Sequence, residues 1–172
     1  AWILYLAGLL IFTLLPIPSD PVAACAAIIH WDNYVPFGSL AAVADQFRDG
    51  EQLRGTLYAL SILLNIALFV PLGALAETAW RIRRARQARE DLPTDGGRLA
   101  RAIPTWRVLV WVAIGAFISC LIEFTQYTGL FGLVPCTYRV VDIDDVITNT
   151  IGTYLGVRLL PLIARNARFM GA

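Results

Sequence analysis

The sequence predicts an all-α fold, an integral membrane bundle of four transmembrane helices. Three observations carry this expectation. Fifty-eight per cent of the 172 residues are hydrophobic and mean hydropathy is +0.63, where a soluble domain is nearer about 45–50% apolar. Charged residues make up only 16% of the chain and cluster between long apolar runs. Four of those runs approach the roughly 20 residues that a hydrocarbon core demands of a helix.

Taken in order, the first run covers about residues 2–18 and ends among Pro16 and Pro18. A secretory signal competes for this stretch, and Val22-Ala23-Ala24-Cys25 has the look of a lipobox. Pro16, Pro18, Asp20 and Pro21 intervene and no basic stretch precedes the run, so a retained helix is expected. The second run, about 57–80, is interrupted by Asn65 and Pro71. The third, about 108–131, carries Glu123 and Gln126. The fourth, about 143–164, has Asp142, Asp144 and Asp145 at its mouth and Asn149 within it. Gly152 and Gly156 in this run form a GxxxG pair, a spacing that allows close helix approach. Simple membrane glycines are the alternative account of the pair. The chain reads as one domain over residues 1–172.

The connecting segments are unequal. Loop 19–56 includes Ala42–Leu53, polar with apolar punctuation, which predicts a short interfacial or capping helix. The linker 81–107 holds eight arginines, at 81, 83, 84, 86, 89, 98, 101 and 107, against two in loop 19–56 and one, Arg139, in loop 132–141. Arg165 and Arg168 lie in the tail. The positive-inside rule therefore places the linker and both termini in the cytoplasm and turns the acidic mouth outward. A net charge of +1 implies no bulk attraction to nucleic acid, and the basic linker has no interleaved aromatics. Contact with anionic headgroups suits it better.

Cys120 falls inside an apolar run and is expected to be inert core. Cys25 and Cys136 fall outside the spans, where a disulfide and two free thiols are both compatible with the sequence. The lone His30 stands between Ile29 and Trp31 without a ligand-spaced partner. It is expected at the interface, with Trp31 and Tyr34.

Depth brings the polar residues together. At 1.5 Å per residue, Asn65, Glu123 and Asn149 all fall roughly 9–12 Å below the outer surface. Ser119, Glu123 and Gln126 share one helical stripe, as do Asp142, Asp145, Asn149, Gly152 and Gly156. Asp144 points elsewhere, either capping its helix or facing water. Glu123 lies mid-span, where capping offers no account of it. A carboxyl there has a functional task, pairs with a partner such as Arg139, or is kept protonated by burial.

These residues carry a family resemblance. Asn33-Tyr34-Val35-Pro36-Phe37 resembles the NLxPF element of VanZ-like proteins. Asn65-Ile66-Ala67-Leu68-Phe69-Val70-Pro71-Leu72-Gly73 is similar to their NxxxFxPxG signature. Ser119–Gln126 resembles SxxIExxQ, and Arg139–Gly152 resembles RxxDxxDxxxNTxG. Each motif is weak alone; four in order over residues 33–156 are specific. The long Arg-rich linker departs from the pattern. The resemblance implies a four-helix bacterial protein of the inner membrane and cell envelope, in a family named for a member associated with low-level teicoplanin resistance. Pro36, Phe37, Phe69, Pro71, Gly73, Gly152 and Gly156 would be its structural positions.

Three functions compete. The first is binding or remodelling of an outer-leaflet lipid or amphiphile, such as a polyprenyl-linked cell-wall precursor or a lipoglycopeptide. Asn65, Gln126, Arg139, Asp142, Asp145 and Asn149 would contact it, with Arg139 taking a phosphate or carboxylate or else pairing with Asp142 or Glu123. The second is a membrane-embedded enzyme with Glu123 as general acid/base and a divalent cation on Asp142 and Asp145. No nucleophile stands beside a base in the sequence. The third is a proton- or ion-coupled transporter using Glu123, for which four spans are few unless the chain forms an oligomer.

Overall fold

The computed structural model describes residues 2–27, 32–87 and 103–170, with side chains to Pro161. Residues 88–102 of the linker, His30 and Trp31, and the side chains of Arg165 and Arg168 lie outside the described residues. The described chain is helical: α1 Trp2–Leu14, α2 Pro21–Ala27, α3 Gly38–Arg48, α4 Gln52–Gln87, α5 Thr105–Tyr127 and α6 Ile143–Met170. A tight turn at Gly129–Gly132 follows α5, with Leu130 and Phe131 in left-handed conformations. One isolated parallel bridge, Asn33 to Asp142, stands in place of any sheet among the described residues.

The ends of the helices follow local chemistry. The first apolar run is expected as a helix to about residue 18, but α1 stops at Leu14. Leu15 precedes Pro16, and the residue before proline is pushed out of the α region. Helix α4 outruns the expected 57–80 at both ends, because Gln, Arg and Ala flank the apolar run and extend a helix well. Helix α5 ends before the expected 131, at the turn whose Gly129 and Gly132 take positive φ. The helix expected within 42–53 lies earlier, at 38–48. Gly50, at φ +82°, leaves it in the left-handed conformation typical beyond a helix C-terminus.

Helices α4 and α5 are long and apolar enough to cross a membrane. In their most apolar windows only 17% and 28% of positions are buried inside the protein. Leu60, Leu63 and Leu64 of α4 and Leu109, Phe117 and Leu121 of α5 are exposed. Water would penalise such faces and lipid would not, so the protein is a membrane protein. Cys120, expected in the core, is exposed on α5. An apolar run in lipid carries no sign of which face turns inward. Helix α1 is apolar but has 13 residues.

The chain divides into two compact units: residues 1–65 with 116–148, and residues 66–115 with 149–172. In the first, three side chains close the end of α1. Gln126 Nε2 donates to the Thr13 carbonyl at 2.7 Å and Tyr138 Oη to Leu14 at 3.0 Å. Arg139 Nη1 reaches Thr13 at 3.0 Å and Leu15 at 2.9 Å. A helix end leaves its last carbonyls without donors, and Pro16 and Pro18 have no N–H to offer. Burial pushes the Tyr138 phenol above its ordinary range, with Arg139 acting the other way, so its hydroxyl stays a donor. Cys25 and Cys136 form a disulfide, with 5.8 Å between their Cα atoms.

In the second unit, glycines let backbones meet. A Cβ on Gly152 would strike the carbonyl of Ile66, one on Gly156 that of Val70, and one on Gly73 that of Thr153. The GxxxG pair of α6 thus packs against α4 of the same chain. Phe69 and Val157 are fully buried here.

Candidate polar site

Asp142 opens α6 and acts as its cap. Its Oδ1 accepts the Asp144 N–H at 2.8 Å, satisfying one of the free donors of the first turn. The same carboxylate takes Asn33 Nδ2 at 2.8 Å and the Ser39 hydroxyl at 2.6 Å. Asp144 binds the other side of that loop. It accepts the Phe37 N–H at 2.6 Å and the Ser39 N–H at 2.7 Å, with Asn33 Nδ2 at 3.3 Å. Backbone bonds Asn33 N to Val141 O and Ile143 N to Asn33 O, both 2.9 Å, complete the junction. The Asn33–Phe37 element and the acidic element are therefore one hook, closed over more than a hundred residues of sequence.

This corrects the expectation for Asp144. It neither caps its own helix nor faces water; it is buried and caps α3, whose first free amides it receives. The sequence distance between the two, 105 residues, hides the pairing. Asn33 and Ser39 were not expected as binding partners of the acids. The one signal available was an acid pair able to neutralise a helix N-terminus somewhere in the fold. Phe37 enters through its backbone: φ is +66° and its ring, like Pro36, is exposed.

Deeper in the same unit, Glu123 of α5 is buried and accepts the Asp142 N–H on Oε2 at 3.1 Å. Asp142, Asp145 and Arg139 are its charged neighbours. Asp145, half-buried, accepts Asn65 Nδ2 of α4 at 2.5 Å. The Ser119 hydroxyl lies 3.5 Å from the Asp145 carbonyl. Asn65, Glu123 and Asp145 thus come together from three helices. Gln126 and Arg139 join the same unit, but both donate to the end of α1. Arg139 meets carbonyls there rather than the Asp142 or Glu123 carboxylates offered as its structural partners. Asn149 belongs to the other unit, buried on α6, where its carbonyl accepts the Thr153 hydroxyl at 3.1 Å.

Chemically the cluster is rich in acceptors. Asp142 has its oxygens engaged by Asn33, Ser39 and a backbone amide, which disfavours it as a cation ligand. Among the described residues no group of three or more His, Cys, Asp or Glu is disposed to hold a metal ion. Glu123 and Asp145 each show one oxygen engaged by a single donor. Such carboxylates suit a group that brings its own N–H or O–H donors.

One family model, described as VanZ/LLP1, matches residues 2–164. No curated protein and no solved structure matches the chain.

Proposed function

This chain belongs to the VanZ/LLP1 family, and we propose that it binds the polar headgroup of a lipid or amphiphile from the outer leaflet of a bacterial inner membrane. It is a VanZ-like protein of the cell envelope. In the proposed arrangement α1, α4, α5 and α6 all span, both termini are cytoplasmic, and Asn65, Glu123 and Asp145 receive the headgroup. The observation that carries this is the meeting of those three side chains on helices whose flanking faces are apolar and exposed. Polar groups at such depth are costly unless they have a task.

Two observations support the orientation independently. The disulfide between Cys25 and Cys136 suits an oxidising compartment, which is the outer side. Arg81, Arg83, Arg84 and Arg86 stand together at the opposite end of α4 from Gln52, as the positive-inside rule expects of a cytoplasmic end. The acceptor-rich cluster favours a headgroup bearing hydroxyls or an ammonium. Arg139 is the weaker candidate for recognition, because Nη1 already serves the end of α1. A lipoglycopeptide such as teicoplanin, which joins an acyl chain to a polar core, fits this description, as does a lipid-linked wall precursor.

The test is teicoplanin susceptibility of bacteria expressing the wild type and Glu123→Gln at matched levels. The wild type raises tolerance and Glu123→Gln loses that gain. Equal protection by both proteins removes Glu123 from the function and the polar site with it. An enzyme using Glu123 as general acid/base is the second reading, favoured by the burial of that carboxylate. It predicts that Glu123→Gln abolishes turnover of the lipid while leaving its binding intact.

A further inference from the structure

The second unit holds a buried charge cluster that the polar site does not use. Glu77 of α4 is fully buried. Its Oε1 meets Arg81 Nε at 2.6 Å and Arg107 Nη2 at 2.8 Å, and its Oε2 accepts Trp111 Nε1 at 2.9 Å. One carboxylate therefore serves two guanidiniums and an indole. The Arg107 guanidinium also lies 3.9 Å over the Trp80 ring.

We infer that Arg107, fixed by Glu77 and Trp80, forms with Arg81 a seat for the phosphate of an anionic phospholipid. Three observations point there. Arg107 is more than nine-tenths buried, yet its Nε has no hydrogen-bond acceptor among the described residues. A buried donor without an acceptor is costly, and a bound anion would supply the acceptor. Arg107 is also the third residue of α5, where the helix dipole disfavours a cation and favours an anion. Arg84 and Arg86 in the last turn of α4 suit the dipole at that C-terminus, but Arg107 does not suit its own. Finally, the planar guanidinium fork matches phosphate oxygens.

The surroundings make the phosphate a lipid's. Arg83, Arg84 and Arg86 are exposed where α4 ends, and Trp106 is exposed on the first turn of α5. Tryptophan beside arginine at the end of an apolar helix marks headgroup depth. A phosphate held at that depth carries an acyl anchor into the adjoining apolar faces. This seat is separate from the proposed headgroup site and stands without it.

The experiment uses the full chain purified in neutral detergent, with native mass spectrometry and thermal unfolding as readouts. The probes are phosphatidylglycerol, phosphatidylcholine and inorganic phosphate. Phosphatidylglycerol is retained in preference to phosphatidylcholine and raises the unfolding midpoint. Arg107→Lys keeps the charge but loses Nε–H and the fork, and weakens retention about tenfold. Trp80→Leu, which spares the Glu77 pairs, also weakens it and serves if Arg107→Lys does not fold. Arg48→Gln, exposed at the end of α3 and part of neither site, leaves retention within about twofold. Equal retention of phosphatidylcholine, unchanged binding by both Arg107→Lys and Trp80→Leu, or a tenfold loss in Arg48→Gln overturns the proposal. Full competition by millimolar inorganic phosphate overturns the lipid assignment.

Discussion

At the scale of single residues, the carboxylates divide by what they already hold. Asp144 receives the backbone amides of Phe37 and Ser39 at the start of α3, and it and Asp142 each hold three donors. Asp144→Ala leaves both amides without an acceptor. It should cost roughly 3 kcal/mol, taking charged hydrogen bonds at about 1.5–3 kcal/mol each with partial relaxation. Asp144→Asn keeps one acceptor oxygen and should cost less. Denaturant unfolding in detergent checks the order; Asp144→Asn as harmful as Asp144→Ala would contradict it. Arg139→Met should likewise destabilise, because the Leu15 carbonyl loses its donor beside two prolines and the Thr13 carbonyl keeps only Gln126. Glu123 and Asp145 have fewer engagements, and on that contrast rests their assignment to a ligand. The sequence made Glu123 conspicuous because a mid-span carboxylate has no capping account. It set Asp144 apart from Asp142 and Asp145 by facing, but not by partner, because Asn33, Phe37 and Ser39 lie more than a hundred residues away.

At the scale of elements, the GxxxG pair was visible as a spacing, but its partner was not. The structure lays Gly152 and Gly156 against the Ile66 and Val70 carbonyls of α4. Gly156→Val should force the two helices apart and cost about 3 kcal/mol or more, above the usual range for overpacking because backbone rather than side chain is struck. A thermal midpoint equal to wild type would refute that contact. The disulfide joins segments 111 residues apart in sequence. Removing it with Cys25→Ser should cost about 2–5 kcal/mol, read as a fall in midpoint that reductant reproduces in the wild type and not in the variant. Apolar runs located α1, α4, α5 and α6, with ends displaced by up to seven residues, and left α2 unforeseen. Their ends were set by prolines, by Gly50 and by good helix formers beyond the apolar stretch. Helix α3 was foreseen by its amphipathic pattern. Its anchor was not, since Asn33, Ser39 and Asp144 become neighbours only in three dimensions.

At the scale of the whole molecule, the proposed topology of this membrane protein turns the polar site outward and the basic end of α4 toward the cytoplasm. The topology has its own check. A cysteine at Arg86→Cys should react with an impermeant thiol reagent only after the cell is opened, and one at Asp20→Cys in intact cells; the reverse pattern would invert the assignment. The membrane class and the resemblance to the VanZ-like family were legible from composition and four ordered motifs. The buried Glu77 cluster was not, because Glu77, Arg81 and Arg107 look like ordinary ends of spans beside a basic linker. The central claim is that Asn65, Glu123 and Asp145 hold an amphiphile's headgroup. Native mass spectrometry of the protein extracted gently from its own membrane tests it most directly. Wild type should carry a bound amphiphile whose occupancy falls about tenfold or more in both Glu123→Gln and Asp145→Asn. The same occupancy in all three proteins, or none in the wild type, would contradict the account.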